Sequence, residues 1–381
     1  MDFSFSEEQT LLRNSVAAYL ADNYSFEAWR KFTRTNDGRD GAHWKQFAEL
    51  GLLAASLPEA YGGLGGGALE TMIIAEEFGK ALVIEPYIST AVIAGGLLAG
   101  AGSEAQKQEW LPKIAAGESI IAFAFAEPHG RFDLADLVTT AKKQSGSYAI
   151  DGQKSVVLGA PWADTLLVTA RTAGGRRDQD GIGAFLVDKN AKGVTARDFA
   201  TVDGGRASEI AFDNVAAEPI GDPEGGFPEI ERAVDEAIAA HSAEALGGMR
   251  VLLDATVSYA KTRKQFGQPI GKFQVLQHRM VDMFVALEQS VSAVLLATLK
   301  LAAPDRGKWV SAAKVETGKA GRYIGQQAIQ IHGGMGMTDE LNVGHYFKRL
   351  TMLDTLYGNV DHHLMRFAKA GTAMKNPHLV Q

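Results

Sequence analysis

Arg263-Lys-Gln-Phe-Gly-Gln-Pro-Ile-Gly271 joins a permanent cation to a glycine-punctuated corner. A guanidinium presents a planar fork of donors that matches phosphate oxygens. A second stretch, Gln330-Ile-His-Gly-Gly-Met-Gly336, places adjacent glycines where a backbone can approach a large ligand closely. Both lie just beyond helical-period segments, so each reads as a corner at a helix end. The chemistry these residues suit is anion binding, through the Arg263 guanidinium and the open backbone at Gly333 and Gly334, with Gln265, Phe266 and Gln330 beside them. Proton transfer would fall to a positioned carboxylate, and Glu244 shares one face of a helical-period segment with His241.

The elements that must hold these residues follow from hydrophobic period. Residues 1 to about 118 read as helical, opened by the capping-box pattern Ser6-Glu-Glu-Gln9. Pro58-Glu-Ala-Tyr-Gly-Gly-Leu-Gly65 reads as a turn between helices, because it lacks the Lys and Ser/Thr of a phosphate loop. From 119 to 228 short runs such as Tyr148–Ile150, Thr165–Thr169, Gly183–Val187 and Glu209–Phe212 are separated by Gly, Asp and Asn, which predicts a small antiparallel β domain. From 229 to 381 the helical period returns, with Leu276, Met280, Met283, Leu287, Val291 and Val294 forming a bundle stripe. The expected domains are therefore 1–118, 119–228 and 229–381.

Composition excludes several classes. The 381 residues are 46% hydrophobic, enough for ample core. With no cysteine, neither a disulfide nor a Cys-ligated metal is possible, and no metal site is expected. Net charge is −7 and no long basic run appears, which argues against a nucleic-acid partner. The N-terminus has no basic and apolar leader pattern, and the apolar runs are interrupted by Gly, Glu or Lys. The expectation is a cytoplasmic protein with neither membrane-spanning helix nor membrane partner.

The two corners resemble the R-x-x-F-G-x-P-I-G and Q-x-x-G-G-x-G marks of the FAD-dependent acyl-CoA dehydrogenase family. Pro58–Gly65 and Ala207–Val215 are also similar to segments of that family, so the resemblance covers nearly the whole chain. It implies an α+β fold, with an N-terminal helical domain, a middle β domain and a C-terminal four-helix bundle. It implies α,β-dehydrogenation of an acyl-CoA thioester and FAD as cofactor. Electron-transfer flavoprotein is the implied acceptor, and the implied assembly is a tetramer with itself or with a larger homologous subunit. In the family the two corners hold the pyrophosphate end of a neighbouring subunit's FAD.

Two departures stand out. The family's usual Y-E-G-T base matches Thr355-Leu-Tyr-Gly-Asn359, where Tyr357 or Gly358 replaces Glu according to register. The alternative helix position for the base is Ala237, with Glu236 about 100° around the helix and Glu244 two turns along on the same face. Glu244 is thus a candidate displaced base. The family's flavin-ring segments T-E-P-x-x-G-S-D and W-I-T-N are replaced by Ala126–Asp133 and Val156–Gly159, so Ala126, Phe132, Val156 and Leu158 stand for Thr, Ser, Trp and Thr. A retained clamp beside a ring site stripped of its polar and stacking groups is the pattern expected of the small subunit of a heteromeric enzyme, similar to small subunits of pimeloyl-CoA dehydrogenase type. The competing readings are a self-sufficient homotetramer with a displaced base, a flavin monooxygenase on the same fold, and a non-enzymatic binding protein.

Overall fold

The computed structural model describes residues 4–144 and 147–375. The leader-pattern expectation rests partly on Met1–Phe3, which lie outside the described residues. Helices α1 (Glu7–Asn23), α2 (Phe26–Phe32), α3 (Gly41–Glu49), α4 (Ala68–Ala81), α5 (Gly95–Ala101) and α6 (Glu104–Ala115) come first. Strands β1 (Ile121–Ala124), β2 (Thr140–Gln144), β3 (Ser147–Leu158), β4 (Thr165–Arg171), β5 (Ile182–Asp188), β6 (Val194–Ala200) and β7 (Arg206–Ile220) follow. Helix α7 (Phe227–Thr262) leads into a hairpin of β8 (Lys264–Gln265) and β9 (Gln268–Pro269). Helices α8 (Gln274–Leu299), α9 (Arg306–His332), α10 (Val343–Thr355) and α11 (Val360–Lys375) complete the chain.

Local chemistry accounts for the ends of these elements. Ser6 closes the capping box predicted for α1, with Ser6 Oγ accepting from Gln9 N and Gln9 Oε1 accepting from Ser6 N, both at 3.1 Å. Pro58–Gly65 is indeed a turn between α3 and α4, with Gly62 and Gly65 at positive φ. The last helical stretch breaks into α10 and α11 at Tyr357 (φ 55°) and Gly358 (φ 118°), where the chain enters a left-handed turn. Among the described residues five α-helices thus follow the strands and make up the C-terminal helix bundle.

Packing divides the chain differently from its linear order. One compact unit combines Met1–Lys31, Ala68–Val83 and Ile238–Gln381, and the other combines Phe32–Gly67 and Ile84–Ala237. In the second unit β4, β2, β3, β7 and β5 run in order, and β5 returns to β4 to close the sheet. Closure leaves no free edge within that ring. The predicted antiparallel sheet is mixed: β1 lies parallel to β4, and β2 meets β4 in parallel at Thr140 and Arg171. Parallel neighbours need a crossover, which the β2–β3 hairpin supplies between β1 and β4.

In the helical unit, α4 and α7 cross closely because both carry glycine at the contact. A Cβ added at Gly79 would lie 1.9 Å from the Glu244 carbonyl oxygen, and one at Gly247 would lie 2.0 Å from that of Glu76. By length and composition alone helix α8 could cross a bilayer, the one such helix among the described residues. It is apolar on two faces. Met283, Leu287, Ser290, Val294 and Ala297 are buried, and α8 packs on α9. Val281, Phe284, Val285, Leu296 and Leu299 remain exposed. One such helix is weak grounds for a membrane span, since a helix serving two packed faces has the same composition.

Candidate active site

The two glycine corners meet at one end of the helical unit. Tyr259 near the end of α7 stacks on His332 at the end of α9, ring centroids 4.4 Å apart, and Tyr259 Oη donates to the His332 carbonyl at 3.4 Å. Arg263 is one helical turn past Tyr259, and Gly333 directly follows His332. The corner after α7 is a two-residue hairpin whose tip, Phe266 (φ 53°) and Gly267 (φ 78°), is left-handed at both positions. Such turns match the twist of the strands they join. Phe266 is 91% exposed, and Arg263, Gln265, Gln330, Gly333 and Gly334 are exposed beside it or at the second corner. No atom lies within 4 Å of a Cβ added at Gly267, Gly333 or Gly334, so this backbone is open to approach. An exposed guanidinium, open glycine backbone and the apolar side chains Phe266, Met335 and Met337 fit the anionic end of a large ligand covered by another protein surface.

The other half of the predicted ligand contacts lies in the strand-containing unit. Ser155 N donates to the Ala126 carbonyl at 2.8 Å, so the bulge in β3 sits beside the Ala126 segment. That bulge holds Val156 at φ 51°, 44% exposed. A β-branched residue in the left-handed region is strained. None of Ala126, Val156 and Leu158 offers a hydroxyl or an aromatic face. The adjacent carboxylate Glu127 is committed to structure. Its Oε1 accepts from Lys154 Nζ at 2.8 Å and from Thr139 N at 3.1 Å, and its Oε2 accepts from Val138 N at 2.7 Å. Burial favours the neutral acid, but the Lys154 charge and these bonds hold Glu127 below the usual carboxylate range. Burial in turn lowers Lys154 to about 8.

Around the expected base position the helical unit buries a dense polar cluster. Tyr357 is half-buried, and burial raises its hydroxyl above the ordinary phenol range. Its carbonyl accepts from His363 Nε2 at 3.1 Å, so His363 Nδ1 is the acceptor for Ser311 Oγ at 3.1 Å. Burial and neighbouring cations drop His363 to about 3. Lys314 Nζ donates to the Leu353 carbonyl, and burial lowers it to about 8. Asp354 Oδ2 accepts from Arg322 at 2.7 Å. A polar cavity of ≈10 Å³ is bordered by His241, Ser242, Lys314, Thr317 and Asp354. That is about the room one water needs.

Glu244 is buried in the same cluster. Arg349 Nε and a terminal nitrogen each stand 2.6 Å from Glu244 Oε1, and His241 Nδ1 stands 3.0 Å from Oε2. Burial would raise this carboxyl, but the Arg349 charge and the His241 bond outweigh it and hold Glu244 at about 2. A carboxylate so committed is a weak proton acceptor at neutral pH. The His241–Glu244 spacing is visible in the sequence, whereas Arg349 is 105 residues away. The Lys154–Glu127 pair is hidden for the same reason, its members standing 27 residues apart.

The chain matches three family models end to end. These are the acyl-CoA dehydrogenase N-terminal domain over residues 6–118, its middle domain over 122–215 and its C-terminal domain over 224–372. A probable acyl-CoA dehydrogenase, YngJ of Bacillus subtilis, is 31% identical over 363 residues, covering 93% of this chain and 95% of the relative. Among solved structures, a variant of the Tcur3481-Tcur3483 steroid ACAD is 27% identical with a TM-score of 0.89, covering 97% of this chain and 99% of that one. The FAD complex of PigA is 26% identical with a TM-score of 0.92, covering 98% of this chain and 100% of that one.

Proposed function

This chain belongs to the acyl-CoA dehydrogenase family, and on that premise we propose that it is the FAD-clamping small subunit of a two-component acyl-CoA dehydrogenase. The family is one of oxidoreductases, and its members bind FAD. The observation that carries the reading is an asymmetry between the two flavin-facing regions. Arg263, Phe266, Gln330, Gly333 and Gly334 are presented outward on open backbone. Ala126, Val156 and Leu158 offer neither a hydroxyl nor an aromatic face to a ring in the chain's own site, Phe132 stands in place of a hydroxyl, and position 357 carries a phenol.

When bound, FAD accepts the substrate's β-hydride. In this reading Arg263 pairs with pyrophosphate oxygens of a partner's FAD, while the glycines admit the cofactor to the backbone. The exposed ridge of α8, Val281, Phe284, Val285, Leu296 and Leu299, is the surface that another subunit covers in a tetramer. The name of the steroid ACAD relative pairs two chains, which supports a heteromeric assembly for a chain with a divided site. The substrate is an acyl-CoA thioester, and electron-transfer flavoprotein is the acceptor.

Purification of the chain alone and with a co-expressed homologue that carries a Glu at either base position tests the reading. The expected result is a colourless protein alone and a yellow, active heterotetramer with the homologue. A yellow homotetramer whose flavin bleaches on addition of acyl-CoA would instead establish the self-sufficient reading. The observation behind that second reading is the buried His241–Glu244 pair beside Tyr357.

A further inference from the structure

We propose that Tyr259 and His332 are positioning residues that lock the two glycine corners into one preformed site for a diphosphate. The inference rests on the clamp reading and deepens it, because the groups that touch the ligand, Arg263 and the Gly333–Gly334 backbone, belong to different helix ends.

Each corner is rigid by itself. After α7, Arg263 N donates to the Tyr259 carbonyl at 2.8 Å and Ile270 N donates to the Arg263 carbonyl at 2.8 Å, so the hairpin folds back onto the helix end. A Cβ added at Gly271 would stand 3.0 Å from the Ala260 carbonyl oxygen. After α9, Gly336 is buried, and a Cβ there would stand 2.9 Å from the Ile329 carbonyl oxygen. Gly333 turns the chain at φ 61° and ψ −139°, a backbone that a residue with a side chain rarely adopts.

Two rigid corners still need a fixed separation. A diphosphate carries two charged groups joined through one bridging oxygen. It engages both corners at once only where their separation suits it. The second contact is then intramolecular, and its strength depends on how firmly the corners are held in register.

The Tyr259–His332 contact supplies that hold. The rings stack with centroids 4.4 Å apart and 28° between planes, and Tyr259 Oη donates to the His332 carbonyl at 3.4 Å. The two residues stand 73 apart in sequence, and each is beside its corner: Arg263 is one helical turn past Tyr259, and Gly333 directly follows His332. His332 is itself fixed. It is buried, and its Nδ1 donates to the Ala328 carbonyl at 2.8 Å, one turn back along α9. Burial lowers the imidazole below its usual range, so at neutral pH it offers the phenol an uncharged face. Tyr259 is half-buried and His332 buried, whereas Arg263, Gln330, Gly333 and Gly334 are exposed. The stacked pair therefore acts through the corners and leaves contact with the ligand to them.

Nucleotides with one and two phosphates test the arrangement. ADP, which carries the same diphosphate as FAD, and AMP are titrated into the purified full chain by isothermal calorimetry. Wild type should bind ADP at least about tenfold more tightly than AMP. Tyr259→Leu should remove that preference, weakening ADP about tenfold and AMP less than about twofold, because each corner keeps its own donors. His332→Leu, which breaks the stack from the other side, should do the same, and the double variant should be no worse than either single change. Tyr259→Phe keeps the ring and should retain at least about a third of the wild-type ADP affinity. A merely structural role would weaken both nucleotides together. Unchanged ADP affinity in both leucine variants, or equal losses of ADP and AMP, overturns the proposal. In that case Arg263→Ala would still weaken ADP, and the clamp reading would stand. ADP binding untouched by Arg263→Ala, or no tighter than AMP in the wild type, overturns the clamp reading and the proposal with it.

Discussion

The open corner around Arg263 and the buried cluster around Glu244 are both rich in polar groups, yet they are built on opposite terms. At the corner the side chains are exposed, the glycine backbone is bare, and the turn residues Phe266 and Gly267 are left-handed. In the cluster each charge has an internal counterpart: Glu244 with Arg349 and His241, Asp354 with Arg322, and Lys314 with the Leu353 carbonyl. A surface meant for a ligand leaves its interactions unmade until the ligand arrives. A buried charge cannot wait, because an unpaired one costs several kcal/mol. The same residue types therefore stand open in one region and serve internal structure in the other.

The sharpest way to break the comparison is Arg349→Ala. Removing one partner of a buried pair should cost about 3–5 kcal/mol of stability, read by chemical denaturation. A loss under about 1 kcal/mol would mean that Glu244 is solvated, and that the cluster resembles the corner after all.

Acid unfolding comes next. Glu244 is held at about 2, against an ordinary 4.5, so its contribution is full above pH 4.5 and is lost as pH falls toward 2. The size is roughly 3 kcal/mol. His241 and His363 are lowered in the folded state, so stability should begin to fall earlier, below about pH 6.5, as unfolded chains take up their protons. Denaturation midpoints measured from pH 7 to 3 should decline throughout, and Glu244→Gln should flatten the part below pH 4.5. A flat profile in the wild type contradicts the buried-charge account.

The smallest effect on stability is expected from Arg263→Ala, which should change the free chain by less than about 0.5 kcal/mol. In the assembled enzyme the same change should weaken FAD retention at least about tenfold, the loss of one charge-assisted contact. Unchanged retention would remove Arg263 from the clamp.

The chain's order of helices, strands and helices was legible because hydrophobic period is local. The short apolar run Thr165–Thr169 and the helical stripe through Met283, Leu287 and Val294 each declare themselves within a few residues. The two corners were legible as turns for a related reason, since glycine punctuation at a helix end is local, and Arg263, Phe266 and Gly333 are exposed there. Strand β6 and the parallel placement of β1 were not legible. One is a largely exposed edge strand with little apolar signal, and the other depends on a neighbour more than 40 residues away.

By itself the sequence determined the elements, the glycine corners and the absence of a carboxylate at position 357, all of them properties of residue type and short spacing. The tertiary structure alone decided what Glu244 is. Two carboxylates with the same local pattern differ by whichever cation the fold brings alongside, and that cation, Arg349, arrives from a helix 105 residues later. It also decided that His241 bonds Glu244 on one side and stacks on Tyr357 on the other. Electrostatic environment depends on distance in space, and in a folded chain only the packing of separate elements sets that distance.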